Sequence, residues 1–162
     1  MNQQQQKLAQ IIQKIDIFRG LSSDEVRQIL QVCKVKSYAP NQQVYTAAEP
    51  SSEMLILLQG QLVITSQSGE PLGSVTPGAS IGEMGVFTGQ PRSATVLATT
   101  QAGGVVIRKM DVDVLMARSP AMYVKVLKNI VTLLCARLSD ANNQNAKHMQ
   151  TIMRLRDQIE KR

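Results

Sequence analysis

Apolar residues first recur along this chain at helical spacing, then at strand spacing, then at helical spacing again, which divides it into three parts. Leu8, Ile11, Ile12 and Ile15 mark one face of a first helix, and the pattern breaks at Phe18-Arg19-Gly20-Leu21. Ser22-Ser23-Asp24-Glu25 has the composition of a helix N-cap, and Val26, Ile29, Leu30 and Cys33 continue it as the stripe of a second helix. The glutamines at 3 to 6 add only a polar start to the first helix.

From about Val35 to Arg108 the pattern shortens. Val44-Tyr45, Met54-Leu55-Ile56-Leu57-Leu58, Leu62-Val63-Ile64-Thr65, Ala94-Thr95-Val96-Leu97-Ala98 and Val105-Val106-Ile107 are rich in strand formers. Between them lie turn clusters such as Glu49-Pro50-Ser51-Ser52, Gln59-Gly60-Gln61, Ser68-Gly69-Glu70-Pro71 and Pro77-Gly78. Short strands separated by regular turns predict a sandwich or barrel, so the fold class is mainly β with flanking helices. A metal-dependent barrel enzyme needs several histidine ligands. The chain has one histidine, His148, outside this region.

The third part is helical. Asp111-Val112-Asp113-Val114-Leu115-Met116 predicts a short helix, and Ser119-Pro120 restarts the chain. From Leu127 the stripe steps by four and three: Leu127, Val131, Leu134, Leu138, Ala141, Asn145, His148, Ile152, Leu155, Ile159. In heptad terms Val131, Leu138, Asn145, Ile152 and Ile159 are a positions, and Leu127, Leu134, Ala141, His148 and Leu155 are d positions. β-branched residues at most a positions, leucine at most d positions and one asparagine at a favour a parallel two-stranded coiled coil. Packing along the chain's own barrel competes for the first half, where Val126 and Ile130 widen the stripe. Beyond Asn145 no chain remains to cover it, so a homodimer is expected through Leu134, Leu138, Ala141, Asn145, Ile152, Leu155 and Ile159.

Composition narrows the function classes. The chain has 162 residues, a one-domain length, and 43% apolar content, which is globular. No apolar run approaches a membrane span, and Met1 to Gln6 lack the apolar region of a signal peptide. The two cysteines, Cys33 and Cys135, both fall in apolar helical patterns and are expected to be buried reduced thiols of a cytoplasmic protein. The net charge of +6 is unevenly placed. Residues 1 to 36 carry six basic and three acidic side chains, 37 to 120 four and six, and 121 to 162 eight and three. The excess lies on the terminal helices, as expected of solvated faces, and no DNA-reading helix accompanies it. Asp111 and Asp113 fit a helix start better than a metal pair, and no nucleophile and base come together in the pattern. No enzyme, metal or direct nucleic-acid function is expected.

The chemistry lies in Gly-Ala-Ser-Ile-Gly-Glu-Met-Gly-Val-Phe-Thr-Gly-Gln-Pro-Arg-Ser-Ala-Thr, residues 78 to 95. The Gly82-Glu83 pair can open a short helix whose first backbone N–H groups attract an anion. Arg92 adds a permanent charge in a fork that matches two phosphate oxygens. Glu83 would repel that anion unless it has another task. An ionised carboxylate only accepts hydrogen bonds and a ribose 2′-OH can donate one, so phosphate and ribose together point to a nucleotide.

These residues resemble the phosphate-binding cassette of the cyclic nucleotide-binding domain, the family of the catabolite activator protein and the regulatory subunit of cyclic-AMP-dependent kinase. Pro77-Gly78 and Ile56-Leu57-Leu58-Gln59-Gly60-Gln61-Leu62-Val63 support the match, which covers nearly the whole chain. The resemblance implies an eight-stranded, jelly-roll-like β-roll with N-terminal helices and a long C-terminal helix closing over the base. It gives Arg92 to the cyclic phosphate and Glu83 to the ribose, with Ser93 and the backbone of Gly82 to Met84 completing the phosphate site. Base contacts fall at Ala141 and Asn142, where the bacterial activators carry Thr-Ser. Cyclic AMP is the favoured ligand and cyclic GMP the alternative. Two early turns depart from the family's glycines with Asn41 and Ala48, and the loop at Ala48 is expected to differ in shape.

The resulting division is 1–34 for the N-terminal helices, 35–108 for the nucleotide-binding β-roll with its cassette at 78–95, and 109–162 for the short and long helices, all in one domain. The expected function is a regulatory sensor that couples ligand binding to movement of the dimerisation helix and acts on a protein effector. Its competitors are a ligand-free interaction module and the sensor half of a transcription regulator without its DNA-binding domain.

Overall fold

In a computed structural model describing residues 3–160, the first two stripes fold as helices α1 (Gln3–Lys14) and α2 (Ser23–Val32), with a 3-10 turn at Asp16–Phe18 between them. Met1-Asn2, part of the stretch read above as lacking the apolar region of a signal peptide, and Lys161-Arg162 lie outside the described residues. The N-cap expectation at Ser22 is met by a reciprocal box. The Glu25 amide donates to Ser22 Oγ at 3.2 Å, and the Ser22 amide donates to the Glu25 carboxylate at 2.7 Å. That carboxylate also receives Lys125 Nζ from the long C-terminal helix at 2.9 Å. Desolvation pushes its pKa up, but the Lys125 and Ser22 hydrogen bonds outweigh it and hold Glu25 below the usual carboxylate range.

Eight strands follow: β1 (Lys34–Tyr38), β2 (Gln43–Tyr45), β3 (Glu53–Gln59), β4 (Leu62–Thr65), β5 (Pro71–Val75), β6 (Ser80–Ile81), β7 (Thr95–Ala98) and β8 (Ala102–Arg108). They form two four-stranded antiparallel sheets, ordered β1-β8-β3-β6 and β2-β7-β4-β5. The continuous apolar run of β3 is explained by burial on both faces. Met54 and Ile56 point to the helices with Val105 and Ile107 of β8. Leu55 and Leu57 point between the sheets with Leu62, Val96 and Val106. Each such fully buried side chain contributes about 1.5–3 kcal/mol.

A short helix α3 (Glu83–Thr88) interrupts the roll between β6 and β7, α4 (Lys109–Arg118) follows β8, and α5 (Pro120–Glu160) ends the described chain. At 1.5 Å per residue, α5 is roughly 60 Å long. Only Met122, Val126 and Ile130 are buried along it, and Asn129 Nδ2 ties it to the carbonyls of Ile17 and Arg19 at 3.2 and 2.8 Å. From Cys135 to Glu160 every residue is exposed. No helix among the described residues is long and apolar enough to cross a membrane.

Two expectations need correction. Both thiols are free, but Cys135 is exposed because it lies on α5 where the helix leaves the domain. Cys33 is half-buried, and its thiol is pushed up to about 12 by desolvation. The loop at Ala48 keeps a left-handed backbone despite the missing glycine, with φ +67°, as Asn41 does at +65°. Ala48 is held there by paired backbone bonds to the cassette: its amide donates to the Arg92 carbonyl, and the Arg92 amide donates to the Glu49 carbonyl, both at 2.8 Å.

Candidate functional site

Local sequence sets the cassette's geometry. Gly82 caps α3 with φ +87°, and a Cβ there would run into the Arg92 guanidinium. Gly85, one turn on, is flush against the Ser51 side chain, where any Cβ would overlap it. The two glycines therefore let α3 lie directly on Arg92 and on the loop before β3. The cavity beneath α3 has a volume of about 120 Å³. Gly82, Glu83, Met84, Arg92 and Ser93 all line it, over an apolar floor of Ile64, Ile81 and Val96.

Arg92 is 9% exposed and makes no ion pair among the described residues. Its Nη2 donates to the Glu53 carbonyl at 2.6 Å, and its guanidinium lies 3.5 Å above the Tyr45 ring. Nη1 is buried without a partner. The Glu53 carboxylate is paired with Lys36 at 2.7 Å and forms no ion pair with Arg92. Burial pushes the Tyr45 hydroxyl well above its usual range, so the ring stays neutral beneath the cation.

Glu83 is 1% exposed. One of its oxygens is paired with Arg137 of α5, whose other nitrogen donates to the Ser80 carbonyl at 3.3 Å. The second oxygen, Oε2, is buried without a partner. An isolated charge in such a place is costly, so the pairing of Glu83 with Arg137 leaves Arg92 as the cavity's uncompensated charge. The arrangement can accept an anion at Arg92, with one open carboxylate acceptor beside it. A phosphate and a neighbouring hydroxyl would meet these unpartnered atoms.

Comparison with known proteins identifies the family and the fold. The sequence profile of the cyclic nucleotide-binding domain matches residues 35–119. The chain belongs to that family. A crystal structure of a cyclic nucleotide-binding domain from Methylobacillus flagellatus is similar at a TM-score of 0.75 and 28% identity, covering 87% of this chain and 82% of that one. The regulatory domain of Toxoplasma gondii PKA, crystallised with cAMP, shares the fold at a TM-score of 0.67 and 16% identity, over 71% of this chain and 46% of that one. Among curated relatives, Glutaminase 1 of Bradyrhizobium diazoefficiens is 28% identical over 78% of this chain. A cyclic nucleotide-gated potassium channel of Mesorhizobium japonicum is 26% identical over 68% of it. The match spans only 20% of the glutaminase and 30% of the channel. The matched segment is thus a minor part of longer proteins with different names.

In this cyclic nucleotide-binding domain the phosphate and ribose residues expected from sequence come together. Ala141 and Asn142 do not join them; both are exposed on α5 and outside the cavity lining. One helical turn earlier, Arg137 is the α5 residue that reaches the cavity, and sequence reasoning missed it. Its signal was a single cation ending the otherwise apolar run Leu133-Leu134-Cys135-Ala136. Tyr45, read only as part of a strand, is the platform for Arg92.

Proposed function

We propose that this domain is a cyclic-nucleotide sensor, with cyclic AMP favoured and cyclic GMP as the alternative. The observation that carries the reading is the buried, unpaired Arg92 beside the open oxygen of Glu83. Arg92, with the backbone at Gly82 to Met84 and Ser93, would hold the cyclic phosphate. Glu83 would accept from the ribose 2′-OH. The base would lie toward α5, where Arg137 closes the cavity and Ala141-Asn142 follow on the next turn.

Because Arg137 links Glu83 to α5, a ligand at Glu83 acts on the helix as well. Binding would bias α5 between arrangements to the extent that the ligand prefers one of them. The distal stripe supports a homodimer as the element biased: Leu138, Ile152, Leu155 and Ile159 are each more than half exposed. A protein effector reading that helix and a cytoplasmic setting, consistent with the free thiols, complete the proposal.

Calorimetric titration of the purified chain with cyclic AMP and cyclic GMP is the direct test. Saturable binding of either supports the reading, and absence of binding at millimolar concentrations of both overturns it.

A further inference from the structure

The cassette's arginine shares its surroundings with a carboxylate that it does not use. Glu53 opens β3, and its backbone carbonyl accepts from Arg92 Nη2 at 2.6 Å. Alternate side chains of a strand share a face, so Glu53 lies on the same side as Leu55 and Leu57, between the sheets. Tyr45, whose ring carries the Arg92 guanidinium, packs in that layer together with Tyr38. Both tyrosine hydroxyls are buried without a partner. Burial raises the pKa of both, and on each the Arg92 cation and the Glu53 carboxylate act in opposite directions. The two charges thus face the same buried pair of rings.

A desolvated guanidinium gains most from a compact anion, and the nearest candidate belongs to the residue whose carbonyl it already touches. Yet the two do not pair. The Glu53 carboxylate is drawn across β8 to Lys36 on the edge strand β1, whose Nζ donates to Oε1 at 2.7 Å. That Nζ also lies 5.7 Å from the centroid of the Tyr38 ring. The Glu53 hydrogen bond holds the Lys36 ammonium above the usual lysine range, so its charge persists at neutral pH. As a stabilising contact the pair is worth little, because Lys36 is 43% exposed. What matters is where it leaves the carboxylate.

We propose, resting on the sensor reading above, that Lys36 is a positioning residue: it holds the Glu53 carboxylate away from Arg92 and so keeps the guanidinium free for an anion. Without Lys36 the carboxylate turns to Arg92 and competes with the phosphate, and only the fraction of molecules in which Arg92 is free can bind. Neither Lys36 nor Glu53 lines the nucleotide cavity. A change of affinity on replacing Lys36 therefore reports on Arg92 rather than on a lost contact with the ligand.

Calorimetric titration with cyclic AMP tests this on wild type and four variants. Lys36→Met keeps the alkyl stem without the charge and should weaken binding on the order of tenfold, as when Glu53 occupies Arg92 in about nine molecules of ten. Adding Glu53→Gln to it removes the competitor but keeps the carbonyl that holds Arg92, and should return the affinity to within about threefold of wild type. Lys36→Arg, which keeps a charged donor for Glu53, should stay within the same range. Lys34→Met removes an equal charge from an exposed position on the same strand and should also stay within it. Lys36→Met that binds like wild type, a double variant as weak as Lys36→Met, or an equal loss in Lys34→Met or Lys36→Arg overturns the role of Lys36 while leaving the sensor reading intact. Wild type that binds no cyclic nucleotide overturns both. Should Lys36→Met fail to fold, Lys36→Gln must show the same loss and the same recovery with Glu53→Gln.

Discussion

The cassette cavity and the distal half of α5 are both marked by side chains that the folded chain leaves incompletely matched, but in opposite ways. In the cavity the unmatched groups are charged and buried: Arg92 Nη1 and Glu83 Oε2. Their positions are fixed by the Glu53 carbonyl, the Tyr45 ring and Arg137. Beyond Ala136 the unmatched groups of α5 are apolar and exposed, and no residue of the domain positions them. A small charged molecule can satisfy the first set, because a buried charge gains most from a compact counter-charge. Only a long apolar surface can satisfy the second. On the reading proposed above, the difference separates the part that would bind from the part that would act.

Removing the charge from the cavity should have the largest effect. Arg92→Ala is expected to weaken cyclic AMP binding on the order of 100-fold, the loss of a charge-assisted pair from a desolvated site. Calorimetry checks it, and unchanged affinity would remove Arg92 from the site. The matching change on the helix is Leu138→Glu, which places like charges opposite each other at an a position of the proposed coiled coil. It should weaken self-association by tenfold or more while leaving the melting temperature of the β-roll unchanged, because Leu138 is 62% exposed. Sedimentation of both proteins decides it, and a wild-type chain that stays monomeric at high micromolar concentration removes the dimer from the proposal.

The two regions were also legible in the sequence for different reasons. Glu83 and Arg92 lie nine positions apart in one short segment, α3 and the turn after it, so local spacing carried their relation. Arg137 is contributed by a helix at the far end of the chain, and only tertiary packing brings it to Glu83. The register that led to Ala141 and Asn142 fell one helical turn beyond the α5 residue lining the cavity. Among the strands, β3 and β4 stood out because burial demands apolar runs. The edge strand β5 was read in part as a turn, since Pro71 and Gly73 weaken its pattern and four of its five residues face solvent. β1 was equally muted, with only Tyr38 buried. Edge strands carry less of the hydrophobic signal on which periodicity depends.

A third perturbation acts on the cassette's seat without touching a charge. Gly85→Ala would force a methyl group into the Ser51 side chain and close to the Gln90 carbonyl. Overpacking of this kind costs about 1–3 kcal/mol, partly offset by alanine's better helix propensity, so a net loss near 1 kcal/mol is expected. Thermal denaturation measures it, and Ser51→Gly in the same chain should recover part of the loss. If Gly85→Ala melts at the wild-type temperature, α3 is not seated on Ser51 as described.

The smallest effect is the most local comparison. Ala48 and Asn41 share a left-handed backbone, yet asparagine tolerates that conformation and alanine does not. Ala48→Gly removes a strain of about 1–2 kcal/mol but adds freedom to the unfolded chain, so the net gain should be about 0.5 kcal/mol, or roughly 1–2 °C in melting temperature. Ala48→Val should move the other way, since a β-branched side chain fits this region worse. Because the Ala48 amide holds the Arg92 carbonyl, both changes should register in cyclic nucleotide affinity as well as in stability. Neither should alter self-association through the distal half of α5, which the Ala48 loop does not meet. A valine variant with wild-type stability and affinity would show that the loop relaxes independently of Arg92, and the cassette would then be less tightly determined by its surroundings than its hydrogen bonds imply.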